Sequence, residues 1–229
     1  MSPAARPRKP RAPRGAPPDP QRVAALAAAL ARHDPRPRCA LDYANPFELL
    51  VAVILSAQCT DKRVNLVTPG LFSRYPTAAA LARAEQGEVE ALVRSTGFFR
   101  NKAKNLIGAA QRLVEAFGGQ VPREMDELLS LPGVARKTAN VVRGECFGLA
   151  DGVVVDTHVK RLARRMGLTR HTDPVKIERD LMELLPQKQW IAFSHRMIRL
   201  GRTVCTARNP ACPTCPVAFH CPKIGVEAR

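Results

Sequence analysis

An all-α fold is what this chain of 229 residues predicts, on three observations. Apolar residues recur at three- and four-residue spacings over almost everything after Pro20. Helix starts are marked by capping residues followed by proline or glutamate, as at Asn45-Pro46-Phe47-Glu48 and Asp173-Pro174. The one strand-like run, Val153-Val154-Val155, is too short to build a sheet.

Residues 1–20 hold seven prolines among alanine and arginine, and neither bury a core nor propagate a helix, so they are expected to form a disordered basic arm. The first helix is marked by Val23, Leu26 and Leu30. The second opens at Asn45, and its run LLVAVILSAQC is apolar nearly all round, which places it at the centre of a core. Helices are then expected at 60–74, with Pro69 as a kink or break, and at 77–84, 88–95 and 102–117. In the last of these Leu106, Ala109, Ala110, Leu113, Val114 and Phe117 share a face and Gly118-Gly119 supplies the stop. Further helices are expected at 125–131, 136–147, 157–166, 174–185 and 190–201, ahead of an irregular loop tied by a metal centre.

Apolar residues make up 45% of the chain, which excludes a wholly disordered polymer. The longest apolar run, Leu49 to Ala57, falls well short of the roughly 20 residues that span a bilayer, so no membrane segment is expected. The basic N-terminus has no apolar stretch behind it and is not a secretory signal. Prolines spoil the amphipathic helix a transit peptide needs, so a bacterial cytoplasm, in association with the nucleoid, is the expected location. Net charge is +16, and residues 1–20 hold five basic residues and one acidic, so twelve of those charges belong to the folded part. A folded surface that positive expects a polyanion, of which nucleic acid is the usual one.

Seven cysteines in a reducing compartment favour a metal centre over disulfides. Cys205, Cys212, Cys215 and Cys221 read C-x6-C-x2-C-x5-C, with prolines forbidding a helix among them. Four thiolates suit either tetrahedral zinc or an iron–sulfur cluster, and one knuckle with long flanks leans toward the cluster. Cys39, Cys59 and Cys146 are isolated and read as small buried hydrophobes.

Leu131-Pro132-Gly133-Val134-Ala135 joins two helices through a tight turn, and puts the amides of the turn and of the second helix's first turn at one exposed point. A phosphate can be held there without any base being read, although a purely structural connection looks similar. Lys137 sits in that first turn. An ammonium is no nucleophile, and the positive helix end and neighbouring basic residues favour the neutral amine that can attack; a lone lysine is otherwise a solvated surface group. Asp156 is placed to cap the helix at 157, and a carboxylate there can also face a pocket. Lys160, Arg161, Arg164, Arg165 and Arg170 carry no intervening acid, nor does the stretch 184–226, and together they suggest a phosphate-tracking surface.

The ordered set LSAQCTD (55–61), STGFFRNKAKNL (95–106), LPGVARKTANVV (131–142), VDTHVKRL (155–162) and the four-cysteine loop closely resembles the endonuclease III family. These are helix–hairpin–helix DNA glycosylases and abasic-site lyases with a structural [4Fe-4S] cluster, and the resemblance runs from about residue 21 to 222. It implies two helical domains with a DNA cleft between them. One is a six-helix barrel-type domain over 41–153 that contains the hairpin motif at 125–148; the other, residues 21–40 with 154–229, is the cluster domain. It implies removal of oxidised pyrimidines from damaged double-stranded DNA, the nucleotide being flipped out, by a monomer. Lys137 matches the lysine that attacks C1′ and forms the Schiff base, and Asp156 the essential aspartate beside it. Gln58 matches the residue that fills the gap left by the flipped base, and Phe98 an apolar wedge where the family often has leucine. Gly133, Val134, Ala135 and His158 fall at DNA-binding positions, and Cys205, Cys212, Cys215 and Cys221 hold the cluster. Ala135 stands where the hairpin commonly has a second glycine; a positive φ there would cost about 1 kcal/mol or more. Ala135 and Phe98 leave room for a weakly active DNA-binding or redox-responsive relative, or a monofunctional glycosylase. The related enzymes that remove adenine from mismatches lack the lysine, which is present here.

Overall fold

Six of the described helices start at a residue whose side chain caps them. A computed structural model describes residues 18–226, as eleven α-helices and three short 3₁₀ turns, with no strand among the described residues. Of the basic arm, residues 1–17 lie outside the described residues, and Pro20 is already helical. Asp19 caps α1 (Pro20–His33), accepting from the Gln21 amide at 3.0 Å. Asn45 caps α2 (Pro46–Leu55), accepting from the Glu48 amide at 3.0 Å, while Glu48 reaches back to the Ala44 amide at 2.7 Å. Such caps contribute about 1 kcal/mol each.

There follow α3 (Asp61–Arg74), α4 (Ala78–Ala82), α5 (Gln86–Val93), a 3₁₀ turn over Arg94–Thr96, and α6 (Phe99–Phe117). The hairpin pair is α7 (Met125–Leu129) and α8 (Arg136–Phe147). Then come α9 (Thr157–Arg165), α10 (Pro174–Leu184), capped by Asp173 through the Lys176 amide at 3.1 Å, and α11 (Trp190–Thr203). No described helix is long and apolar enough to cross a membrane.

Beyond shifts of one or two residues at helix ends, two features depart from the periodicity. α3 runs unbroken through Pro69, because Pro69 and Gly70 are exposed and water can serve the carbonyl that proline leaves without a partner. α6 begins three residues before the expected 102, since Phe98, in a left-handed conformation at φ 47°, accepts from the Lys102 amide and starts the helix without any side-chain cap to announce it.

Buried residues separate into two clusters. The first surrounds α2, eight of whose ten residues are buried, and draws on α3 to α8; α4 and α5 pack on α6, and α2 on α8. The second unites Val23, Leu26 and Leu30 of α1 with α9, α10, α11 and Val217, α9 lying against α11. At Gly201 of α11 a Cβ would stand 2.9 Å from the Cβ of His158, so glycine is what allows α9 so close. The α8-to-α9 connection passes between the clusters, its Val154 amide donating to Ser194 Oγ of α11 at 3.0 Å.

Candidate active site and cysteine loop

The hairpin turn needs one glycine. Gly133 has φ 78°, and a Cβ on it would meet the Cβ of Asn105 at 2.9 Å. Ala135 has φ −99° and ψ 168°, extended backbone open to any residue, so the strain that a positive φ would bring is absent. As N-cap of α8 it offers no side-chain acceptor, and the first-turn amides are left without a side-chain cap, at an exposed positive helix end. Val134, expected at the DNA-binding turn, faces inward. Its side chain is buried in the first core and its amide donates to Leu131 O at 3.1 Å, so it fixes the turn.

Lys137, exposed in the first turn of α8, opens onto two adjoining cavities, of about 420 and 1080 Å³, and Asp156 lines both. Asp156 is half-buried and caps α9, accepting from the Val159 amide at 2.8 Å. The cap and the pocket-facing roles are therefore compatible, because one carboxylate oxygen suffices for the cap. Gln58 and His158 line the larger cavity, so four of the expected residues converge. Phe98, Gly133 and Ala135 lie outside both walls, exposed. Gln58 and Phe98 share an unusual backbone: both are exposed non-glycine residues with positive φ, 53° and 47°. Each costs about 1–3 kcal/mol and persists only where the surroundings impose it. Phe99, by contrast, packs against the first core.

Several residues of the site escaped the sequence. Lys102 is 4% exposed, yet its Nζ donates to Leu55 O at 2.8 Å and Thr96 O at 2.7 Å. The available signal was a lysine four residues before Leu106 on an apolar stripe. Asp61 lines both cavities and pairs with Arg202 at 2.5 Å. Deeper in the smaller cavity, Glu145 meets His195 at 2.5 Å and accepts from the Tyr43 hydroxyl at 3.3 Å. Burial pushes the Glu145 carboxyl up, but the hydrogen bond and charge of His195, with Tyr43, more than offset this and hold it below its ordinary value. Burial pushes the neighbouring Cys39 and Cys146 thiols up to about 11, which keeps them neutral; with Cys59 they are half-buried against the first core, not fully buried as expected. Burial also lowers His158, opposed by Asp156.

Cys205, Cys212, Cys215 and Cys221 line one small pocket closed by Met166, Val204 and Val217. Burial pushes the Cys215 and Cys221 thiols up, and the other cysteines of the loop add to it, so four thiolates require a cation among them. Four sulfur donors lining one pocket fit either an iron–sulfur cluster or a zinc ion. Arg165 donates to Cys205 Sγ at 3.3 Å, to Thr206 O at 2.7 Å and to Ala207 O at 2.8 Å; Arg161 donates to Gly201 O at 2.8 Å and Cys205 O at 3.0 Å. Arg199 donates to Asp34 Oδ1 at 3.0 Å and Arg202 to Asp61. Arg161 and Arg165, half-buried, thus brace the loop, whereas Arg199 and Arg202 make their ion pairs while still exposed to solvent, and Arg164 and Arg170 are exposed as well.

Helical hairpin, amine-and-carboxylate cleft and four-cysteine loop together define a base-excision protein of the helix–hairpin–helix class, and the comparisons agree. Residues 51–187 match the HhH-GPD superfamily of base excision DNA repair proteins, and residues 205–221 the iron-sulfur binding domain of endonuclease III. Endonuclease III of Synechocystis sp. is 58% identical over 88% of this chain and 92% of its own length. A non-covalent endonuclease III–DNA complex matches with a TM-score of 0.85 at 43% identity, covering 90% of this chain and 96% of that one. A trapped endonuclease III–DNA covalent intermediate matches with a TM-score of 0.84 at 43% identity over the same shares. The chain belongs to the HhH-GPD superfamily and, within it, to the endonuclease III family.

Proposed function

We propose that the chain is a bifunctional DNA glycosylase and abasic-site lyase of base excision repair, acting on oxidised pyrimidines in duplex DNA. The observation that carries this is the convergence of Lys137 and Asp156, from two different helices, on the same pair of cavities. The smaller cavity, about 420 Å³, has the volume of a small-molecule site and room for a flipped base. Lys137 Nζ forms a bond to C1′ as the glycosidic bond breaks and the base leaves with a proton. The C1′–O4′ bond of the resulting aminal then breaks, O4′ taking up a proton as the ring opens; the iminium so formed loses a C2′ proton, the C3′–O bond breaks, and the 3′ strand departs with its 5′ phosphate. Hydrolysis of the imine frees the lysine. Asp156 stabilises the positive charge that develops on the sugar and accepts the amine's proton.

Gln58 and Phe98 fill the gap in the duplex, His158 contacts the strand in the larger cavity, and Gly133 and Ala135 bring the uncapped amides of α8 to a phosphate. The two buried clusters support two units, 41–153 and 21–40 with 154–229, with the duplex in the groove between them. The four cysteines hold a [4Fe-4S] cluster whose part is to shape the loop. The protein works as a monomer in a bacterial cytoplasm, at the nucleoid. The extended backbone of Ala135 removes the main ground for a weakly active relative.

Borohydride trapping on a duplex carrying one thymine glycol, beside an abasic-site duplex, tests the assignment. Wild type is expected to give a covalent adduct that Lys137→Ala abolishes. No adduct on either duplex, from protein with an intact cluster, overturns it.

A further inference from the structure

Lys102 stands on the buried face of α6 with Ala103, Leu106, Ala109, Ala110 and Leu113, the one charged residue among them. Its two acceptors belong to the two segments that carry the gap-filling residues. Leu55 ends α2, and three residues later the chain reaches Gln58; Thr96 closes the 3₁₀ turn, and two residues later comes Phe98. Leaving α2 at Ser56 takes the Leu55 carbonyl out of the helical ladder, so a donor must come from elsewhere. A leucine at position 102 would fill the space and leave two buried carbonyls unserved. The ammonium instead joins segments 47 and 6 residues away from it. Both segments continue into non-glycine residues of positive φ, a conformation that surrounding structure has to hold.

We propose that Lys102 is a positioning residue for base extrusion: by clamping the Leu55 and Thr96 carbonyls it sets the Gln58 and Phe98 loops at a fixed separation, so that the two side chains enter the duplex as one unit. The inference rests on the duplex-entering role assigned above to Gln58 and Phe98. Lys102 touches neither substrate nor Lys137; its effect is confined to substrates whose base must be extruded.

The test compares two substrates in each variant: base release from a duplex with one thymine glycol, and strand cleavage at an abasic site in a single-stranded oligonucleotide, which needs no extrusion. In Lys102→Met the ratio of the first rate to the second is expected to fall about 10²-fold, the scale of a roughly 1 Å misplacement, with the cluster's visible absorbance retained. Lys102→Arg, which keeps cationic donors, is expected to restore part of that ratio. Equal loss on both substrates in Lys102→Met, or no loss, overturns the inference. Should Lys102→Met not yield folded protein, Lys102→Gln, with one amide donor, is measured in its place and judged by the same ratio. Gln58→Ala and Phe98→Ala separate the two levels. If they leave the ratio unchanged, the duplex-entering role fails and the inference with it; if they lower it while Lys102→Met does not, only the inference fails.

Discussion

Replacing Gly133 by alanine isolates what the hairpin turn demands of its backbone. Two separate penalties are legible in the geometry. At φ 78° an alanine is left-handed, which costs about 1–2 kcal/mol. Its Cβ would also lie 2.9 Å from the Cβ of Asn105, an atom fixed to the α6 backbone that cannot rotate away, and overpacking of this kind costs about 1–3 kcal/mol. The sum, about 2–5 kcal/mol, corresponds to a fall of about 4–20 °C in melting temperature for a chain of this size. Calorimetric melting of the cluster-loaded protein measures it, with KM on an abasic duplex recorded alongside, since moving the turn off α6 also moves the amides of α8. Ala135→Gly is the paired control. Its backbone is extended and exposed, so glycine relieves nothing there and should cost about 0.4–1 kcal/mol by loosening the unfolded chain. A Gly133→Ala protein that melts with the wild type, or an Ala135→Gly protein that melts higher, would refute this account of the turn.

Asp156→Asn separates the two duties of that residue: asparagine caps as well as aspartate, so the melting temperature should hardly move while kcat falls about 10²–10⁴-fold, as loss of a proton acceptor predicts. A proportionate loss of both in melting and rate assays would make Asp156 structural alone. Arg165→Met removes three hydrogen bonds to the cysteine loop, each worth about 1.5 kcal/mol or more for a charged donor, and should quicken the loss of cluster absorbance on warming; an unchanged rate counts against its bracing role. His158, lowered by burial from an ordinary value of 6.5, gives a signed pH dependence. Below pH 6.5 the unfolded chain takes up a proton that the folded chain resists, so this contribution to stability is complete above that pH and lost as the pH falls toward the folded value. Melting temperatures of His158→Gln and wild type measured from pH 7.5 down to 5.5 should show the shallower slope in the variant.

The glutamate–histidine pair and the clamp lysine show where local patterning stops. Periodicity and capping act within a few residues, so α2 with its Asn45 cap, α10 with Asp173 and the glycine stop of α6 could be read from the chain. Motif spacing likewise marked the four cysteines, Lys137 and Asp156, because hairpin, cap and metal loop are each short continuous segments. Lys102, whose partner Leu55 is 47 residues away, and Glu145 and His195, 50 apart, carry no such mark. Arg161 and Arg165 looked like surface charge by composition, and only the approach of the loop after α11 turned them inward to its carbonyls and to Cys205.

Backbone conformation divides in the same way. Gly133 announced its turn because glycine is the residue that a positive φ selects, whereas Gln58 and Phe98 hold that conformation against their own preference. The sequence by itself determined most of the helices, their caps and the cysteine set, all consequences of neighbours along the chain; a part for Lys137 entered only with the resemblance of its motif. The tertiary structure alone decided which groups meet at the cavities, which arginines face inward, and how two strained loops are held ready. Those outcomes depend on burial and on hydrogen bonds between segments far apart in the chain, which no local pattern encodes.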